Sequence, residues 1–267
     1  TIWQFYLKRA ARILPPFFVF MVLYSTLPML WGQIDGDTSL RDLSRILFNF
    51  PTLAGHLWFM YPLFSLYLFI PFISPWLQKA TAKEELFFII LFLISTCMPF
   101  LNRWCGEIWG ECFWNQYHML WYFSGYLGYL VLAHYIRTHL TWSRSKRMAI
   151  GFVLMFVGAA LTIWSFWVQA APGVNTINCV MLTAGTFIMF TCIDKPLRFI
   201  TDLSKMSYGM YLMHIFWLGM WATIFKQILA LPTVAAIPAI AASTFVSSYI
   251  TTKLLSFIPG SKWIVGC

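Results

Sequence analysis

Runs of about 20 apolar residues, separated by short polar segments, recur along the whole chain. A helix needs a run of about this length to cross the hydrocarbon core of a bilayer, because each residue adds about 1.5 Å to its axis. The pattern predicts an all-α fold, namely a polytopic transmembrane helix bundle with about eight spans. The predicted spans are Ile13–Trp31, Leu57–Leu77, Leu86–Leu101, Tyr117–Ile136, Met148–Val168, Ile177–Ile193, Met206–Phe225 and Leu231–Leu255.

Short connections and internal prolines predict the character of this bundle. Because the loops are short, we expect one domain over residues 1–267, with neighbouring helices antiparallel. A proline inside a span frees a backbone carbonyl and kinks the helix, and in a membrane that carbonyl needs protein or water as its partner. The bundle is therefore expected to be irregular and to enclose a cavity. The prolines concerned are Pro15, Pro16, Pro28, Pro62, Pro71 and Pro99.

Composition indicates that lipid is the solvent for most of the surface. Hydrophobic residues make up 60% of the chain and charged residues only 10%, whereas soluble domains carry about 25% charged residues. The net charge of +9 is interpreted as basic flanks of the spans, and no nucleic-acid partner is expected. With the N-terminus in the cytoplasm, 14 of the 18 Lys and Arg residues fall on the inner side. The positive-inside rule therefore predicts that both termini are cytoplasmic.

The first candidate site lies where the first span meets the cytoplasm. Arg9 and Arg12 are three residues apart, so on a helix they share a face. One interpretation is that they set the topology and bind lipid headgroups. The other is that they clamp the phosphates of a cytosolic donor, since guanidinium groups offer several fixed donors and stay charged.

Two histidines in apolar surroundings are candidate proton acceptors. His56 opens the second span beside Trp58, and it could either accept a proton or belong to an interfacial aromatic belt. Ser207, Tyr211 and His214 follow the spacing i, i+4, i+7 and share one face of the seventh span. Ionisable residues within a span usually face the bundle interior and mark function, although a hydrogen bond to a neighbouring helix is the alternative for His214.

Other polar clusters give weaker indications. Asp194, Arg198 and Asp202 flank an inner loop beside Lys195 and Lys205, and mutual pairing in a cytoplasmic turn is expected. A predicted outer loop over residues 102–116 is compatible with two free thiols, a disulfide, carboxylates that bind acceptor hydroxyls, or zinc. Its spacing matches no strong zinc pattern, so no metal is expected. The residues concerned are Cys105, Glu107, Glu111, Cys112 and, just beyond, His118. The sequence has no P-loop, zinc-protease or dinucleotide-binding motif.

Three pieces of the sequence resemble the membrane-bound acyltransferase 3 family. They are FYLKRAARILP at residues 5–15, HLWF at residues 56–59 with Tyr67, Leu68 and Pro71, and SYGMYLMH at residues 207–214. The HLWF form is similar to the branch that includes the enterobacterial common antigen O-acetyltransferase. The resemblance runs over the whole chain.

This resemblance implies transfer of an acetyl or other acyl group from acetyl-CoA to a hydroxyl of a cell-surface polysaccharide or lipid-linked glycan. It implies a location in the bacterial inner membrane. Arg9 and Arg12 would then hold the CoA phosphates, and His56 or His214 would supply or assist the base that a hydroxyl nucleophile needs. Trp58, Ser207 and Tyr211 are the further candidates for contact with substrate.

One departure from the family concerns the start of the chain. The family typically has about ten spans of membrane length. Its first span carries an Arg followed about three helical turns later by a His, which is the base expected for the family. This sequence starts after the point where the first two spans would lie, so an N-terminal truncation is expected and the fragment could be inactive. The rival hypotheses are a transporter or flippase for a glycan, lipid or small solute, and a non-catalytic membrane partner.

Overall fold

The computed structural model describes residues 1–104, 119–167, 173–193, 195 and 197–266. Over these residues the chain is helical and has no β-strand, which confirms the predicted all-α fold. Helices are named here in chain order. They are α1 (Ile2–Leu30), α2 (Gly36–Ser44), α3 (Met60–Lys79), α4 (Ala82–Trp104), α5 (Tyr126–Thr138), α6 (Arg144–Trp167), α7 (Ile177–Phe190), α8 (Arg198–Ala222), α9 (Thr233–Leu255) and α10 (Ser261–Ile264).

Five helical segments in the described ranges are long and apolar enough to cross a membrane. They are Ile2–Leu30, Gly55–Lys79, Ala82–Leu101, Arg144–Trp167 and Thr233–Leu255. The predicted spans at Tyr117–Ile136, Ile177–Ile193 and Met206–Phe225 instead overlap α5, α7 and α8, and α5 and α7 are only 13 and 14 residues long. The total of about eight crossings therefore stays a prediction.

Helix α1 begins well before the apolar run that predicts the first span. Thr1 caps it, since its side-chain oxygen accepts a hydrogen bond from the Gln4 amide while the Gln4 side chain accepts one from the N-terminal amine. The basic segment that contains Arg9 and Arg12 is consequently helical, and the two residues lie on one continuous helix with the span.

The described residues divide into two compact units, Thr1–Leu68 with Pro196–Cys267, and Phe69–Lys195. In the first unit, α1 packs on α2, α8 and α10, and α8 packs on α9. Its core is formed by large apolar side chains from α1, from the 3-10 turn Gly55–Phe59 and from α8, including Phe17, Phe20, Met21, Tyr24, Leu57 and Leu212. The single domain over 1–267 stays a prediction.

The second unit contains two close helix pairs, α4 with α5 and α6 with α7. The α6–α7 pair approaches at backbone distance through glycines. A Cβ atom added to Gly185 would lie 2.5 Å from the carbonyl oxygen of Gly151, and one added to Gly158 would lie 2.8 Å from that of Asn178. Small residues permit this approach, which provides the dispersion contacts that hold membrane helices together.

The expected mutual pairing of Asp194, Arg198 and Asp202 is wrong for Asp202. Its carboxylate accepts hydrogen bonds from the Lys253 ammonium at 2.7 and 2.9 Å and from the Tyr249 hydroxyl at 2.6 Å, so it joins α8 to α9. The bonds from Lys253 and Tyr249 hold the pKa of Asp202 below its usual range. Asp194 lies outside the described residues, as do Cys105, Glu107, Glu111, Cys112 and His118.

Candidate active site

Two predicted site residues, His56 and His214, meet in the first unit. His56 lies in the 3-10 turn before α3, and His214 lies in the middle of α8. Their ring centroids are 4.9 Å apart, with the edge of one ring against the face of the other. Both side chains are half-buried. The fold thus joins two titratable groups from distant parts of the sequence.

Aromatic side chains from α1 and α8 surround this pair. The ring of Tyr24 lies 5.1 Å from that of His56 and stacks on Phe216 at 4.2 Å. The Tyr24 hydroxyl donates to the Leu212 carbonyl at 3.0 Å, and the Tyr211 hydroxyl donates to the His56 carbonyl at 2.6 Å. These bonds fix the backbone beside both histidines. Tyr24 was not among the sequence candidates, although a tyrosine in the middle of an apolar span is the signal that marks it.

The hydrogen bond of His214 determines which of its nitrogens can accept a proton. Its Nδ1 lies 2.6 Å from the carbonyl oxygen of Tyr211. A carbonyl oxygen can only accept, so Nδ1 must carry the hydrogen and Nε2 must hold the lone pair of the neutral ring. His214 is therefore oriented as a base through Nε2.

The ring of His56 is less well satisfied. Both of its nitrogens are buried, and neither makes a hydrogen bond within the part of the chain that the structure describes. A buried polar atom without a full hydrogen bond costs about 1–3 kcal/mol. A hydroxyl or carbonyl that hydrogen-bonds to the His56 ring would relieve that cost, which is the behaviour expected of a binding site.

Ser207 and Trp58 are not in the histidine pair. The Ser207 hydroxyl is exposed and donates to the carbonyl of Ser204 at 2.8 Å. Trp58 is exposed, and its ring lies 6.0 Å from that of Phe59. Of the three residues that share a face of α8, the structure therefore brings Tyr211 and His214 to the site and leaves Ser207 one turn away.

Arg9 and Arg12 lie at the other end of α1. Both are exposed, and the Arg9 guanidinium stacks 5.4 Å from the Phe5 ring and 5.3 Å from the Tyr67 ring. Tyr24, which touches His56, follows Arg9 by fifteen residues. At 1.5 Å per residue, Arg9 and Tyr24 are about 22 Å apart along the helix axis. Any molecule that contacted both would have to be long.

The family model of acyltransferase 3, described as an acyltransferase domain, matches residues 1–253. The chain belongs to this family. No match was found among curated proteins or among solved structures. Together with the five membrane-length helical segments, family membership makes the chain a multi-pass membrane acyltransferase.

The acyltransferase also carries a buried polar cluster that sequence reasoning missed. In the second unit the side chain of Glu85 is fully buried, and its carboxylate lies 3.1 Å from Nδ1 of His134 and 3.1 Å from Nε2 of His139. A carboxylate can only accept, so each facing nitrogen carries a hydrogen. The sequence signal was an acidic residue beside an apolar run, with two histidines near the end of a later apolar run.

The cluster lies at two helix ends. Glu85 is in the N-terminal part of α4, and His139 is the C-cap of α5. No group of three or more His, Cys, Asp and Glu side chains in the described ranges is arranged to hold a metal ion. The contacts of Glu85 with His134 and His139 join α4 to α5.

Proposed function

We propose that the protein is an O-acyltransferase that transfers an acetyl group from acetyl-CoA to a hydroxyl of a cell-surface polysaccharide or a lipid-linked glycan. The observation that carries the proposal is the His56–His214 pair, with Nε2 of His214 available as a base. The similarity to the O-acetyltransferase branch in residues 56–59 supports the choice of acyl group and acceptor.

In the proposed reaction, His214 takes the proton of the acceptor hydroxyl while the hydroxyl oxygen attacks the thioester carbonyl. The new C–O bond forms, the C–S bond breaks, and the departing thiolate takes up a proton to give free CoA. The ring nitrogens of His56 would hydrogen-bond the acceptor hydroxyl or the carbonyl. If the further histidine that the resemblance implies is the base, the pair would assist that residue.

The separation between Arg9 and the histidines supports a donor of the CoA type. CoA carries its phosphates at one end and its thioester at the other end of a long flexible arm. A molecule of this shape is suited to span the distance of about 22 Å along α1. Arg9 and Arg12 would hold the phosphates by charge-assisted hydrogen bonds, with the N-terminus on the cytoplasmic side of a bacterial inner membrane.

The donor role is tested by the double variant Arg9→Ala/Arg12→Ala of the purified protein. We expect the KM for acetyl-CoA to rise about tenfold or more, since two phosphate contacts are lost. The matched control is Arg41→Ala/Arg45→Ala, which removes the same charge from exposed positions in and just after α2. An unchanged KM in the first variant would exclude Arg9 and Arg12 as the residues that bind the CoA phosphates. Acetyl transfer by the purified protein separates an enzyme from a transporter.

A further inference from the structure

An open cavity of about 590 Å³ lies between α8 and α9 in the first unit. Its walls are apolar except for a few side chains, among them Ser207, Tyr211 and His214 on α8 and Thr244 and Ser248 on α9. Small-molecule sites usually measure about 300–1,000 Å³. The volume is far larger than a two-carbon acetyl group requires.

Two hydroxyls on the α9 side of this cavity have no hydrogen-bond partner among the described residues. Thr244 is 7% exposed and Ser248 is 1% exposed, and within the described ranges neither side-chain oxygen makes a hydrogen bond. They are four residues apart, so they share one face of α9. Thr252, one further turn along, shows the usual arrangement, because its hydroxyl donates to the Ser248 carbonyl at 2.8 Å.

The missing bonds are unusual for a helix in lipid. A serine or threonine in a membrane helix normally donates to the carbonyl one turn back, because no water competes for the hydroxyl. A hydroxyl that forgoes this bond and borders a cavity is available to a ligand oxygen. Simple contact with bulk lipid would favour the usual backbone bond at both positions.

We propose that this cavity binds a hydrocarbon chain whose oxygen-bearing linkage accepts hydrogen bonds from Thr244 and Ser248. The proposal rests on the acyltransferase function stated above, and it adds the class of substrate. The chain belongs either to an acyl thioester longer than acetyl or to the lipid anchor of a lipid-linked acceptor. His214 lines the same cavity, so a chain held there would have its polar linkage close to the proposed base.

The position of α9 agrees with entry from the bilayer. Thr233–Leu255 is one of the helical segments long and apolar enough to cross a membrane, and two lining residues, Ala241 and Phe245, are exposed. A hydrocarbon chain could therefore enter the cavity laterally from the bilayer, while its polar headgroup stays at the membrane surface.

Photo-crosslinking of the full chain in lipid nanodiscs tests the proposal without requiring turnover. One probe is a diazirine-bearing palmitoyl-CoA and the other a diazirine-bearing polyprenyl phosphate, with labelled residues mapped by mass spectrometry. We expect label on α8 and α9 within the cavity, and several-fold less label in Ala241→Trp, which fills it. The matched control, Ala242→Trp, alters the next exposed residue, which does not line the cavity, and should label as wild type.

A second variant protects the test against misfolding. Thr244→Val/Ser248→Ala removes two hydroxyls that have no partner in the described part of the chain, so the variant should fold as well as wild type and label several-fold less. Preference for the CoA probe assigns the chain to the donor, and preference for the polyprenyl probe assigns it to the acceptor. Equal labelling in all variants would identify bulk lipid contact and overturn the proposal. Specific labelling without acyl transfer would overturn the proposed function and leave the cavity assignment standing.

Discussion

At the scale of single residues, the orientation of His214 follows from one hydrogen bond. The bond from Nδ1 to the Tyr211 carbonyl uses the proton of the neutral ring and leaves Nε2 as the acceptor. Such an arrangement removes the need for a carboxylate partner, which many catalytic histidines use to fix their tautomer. The helix itself supplies the orienting group, since Tyr211 is one turn earlier in α8.

His214→Asn separates this orientation from base catalysis. The asparagine amide can still donate to the Tyr211 carbonyl, but it cannot take a proton. We expect kcat for acyl transfer to fall by about 10²–10⁴. The KM for acetyl-CoA should change by less than about threefold, because no donor contact is lost. Steady-state rates of the purified enzyme measure both, and a melting temperature near that of wild type confirms the fold. A kcat equal to wild type would exclude His214 as the base.

At the scale of helices, two kinds of contact hold neighbouring elements of the second unit together. Backbone packing through glycine joins α6 to α7, and a shared buried carboxylate joins α4 to α5. Neither depends on the hydrophobic effect, which gives no driving force between helices that are already in lipid. Close packing and polar bonds therefore carry the specificity of these pairs.

Gly185→Ala tests the glycine contact. The added methyl group would lie 2.5 Å from the Gly151 carbonyl and 2.8 Å from the Met155 amide nitrogen, so α6 and α7 must move apart. We expect a loss of about 1–3 kcal/mol in stability, measured by denaturation in detergent micelles. Gly219→Ala on α8 is the control, because its Cβ would meet no atom of the described residues within 4 Å. Equal stability of the two variants would contradict the close packing.

Glu85→Gln tests the buried carboxylate. Glutamine has nearly the same size but only one acceptor oxygen, and its amide hydrogens would face a histidine N–H. We expect a loss of about 1–3 kcal/mol in stability. The neighbouring Glu84→Gln is the control, since Glu84 is exposed and its bond from the Thr81 amide, at 2.7 Å, needs only one oxygen. If the two substitutions reduce the stability equally, Glu85 does not join α4 to α5.

At the scale of the whole molecule, orientation in the membrane determines which substrate reaches which end of α1. A cytosolic donor can reach Arg9 and Arg12 only if the N-terminus is inside. The positive-inside rule predicts that orientation for both termini. The family and the membrane-length helices establish a multi-pass protein, while the direction of insertion stays a prediction.

Reporter fusions test the direction of insertion. Green fluorescent protein attached after residue 267 should fluoresce, and alkaline phosphatase at the same point should be inactive, because the basic flanks keep this end in the cytoplasm. Fusions at residue 52, in the polar segment that precedes α3, should give the opposite result. Active phosphatase at the C-terminus would reverse the topology and exclude the cytosolic donor clamp.

The sequence by itself determined the all-α, membrane-embedded character, because hydrophobic runs and helical periodicity are local properties. It also determined that Tyr211 and His214 share a face. Only the tertiary structure decided that His56 meets His214 beside Tyr24, that Glu85 meets two histidines, and that Asp202 pairs with Lys253. These contacts join residues that are far apart in the chain. Hydrophobic periodicity identifies the face of a helix that is buried or carries polar groups, but it does not determine which other helix packs against that face.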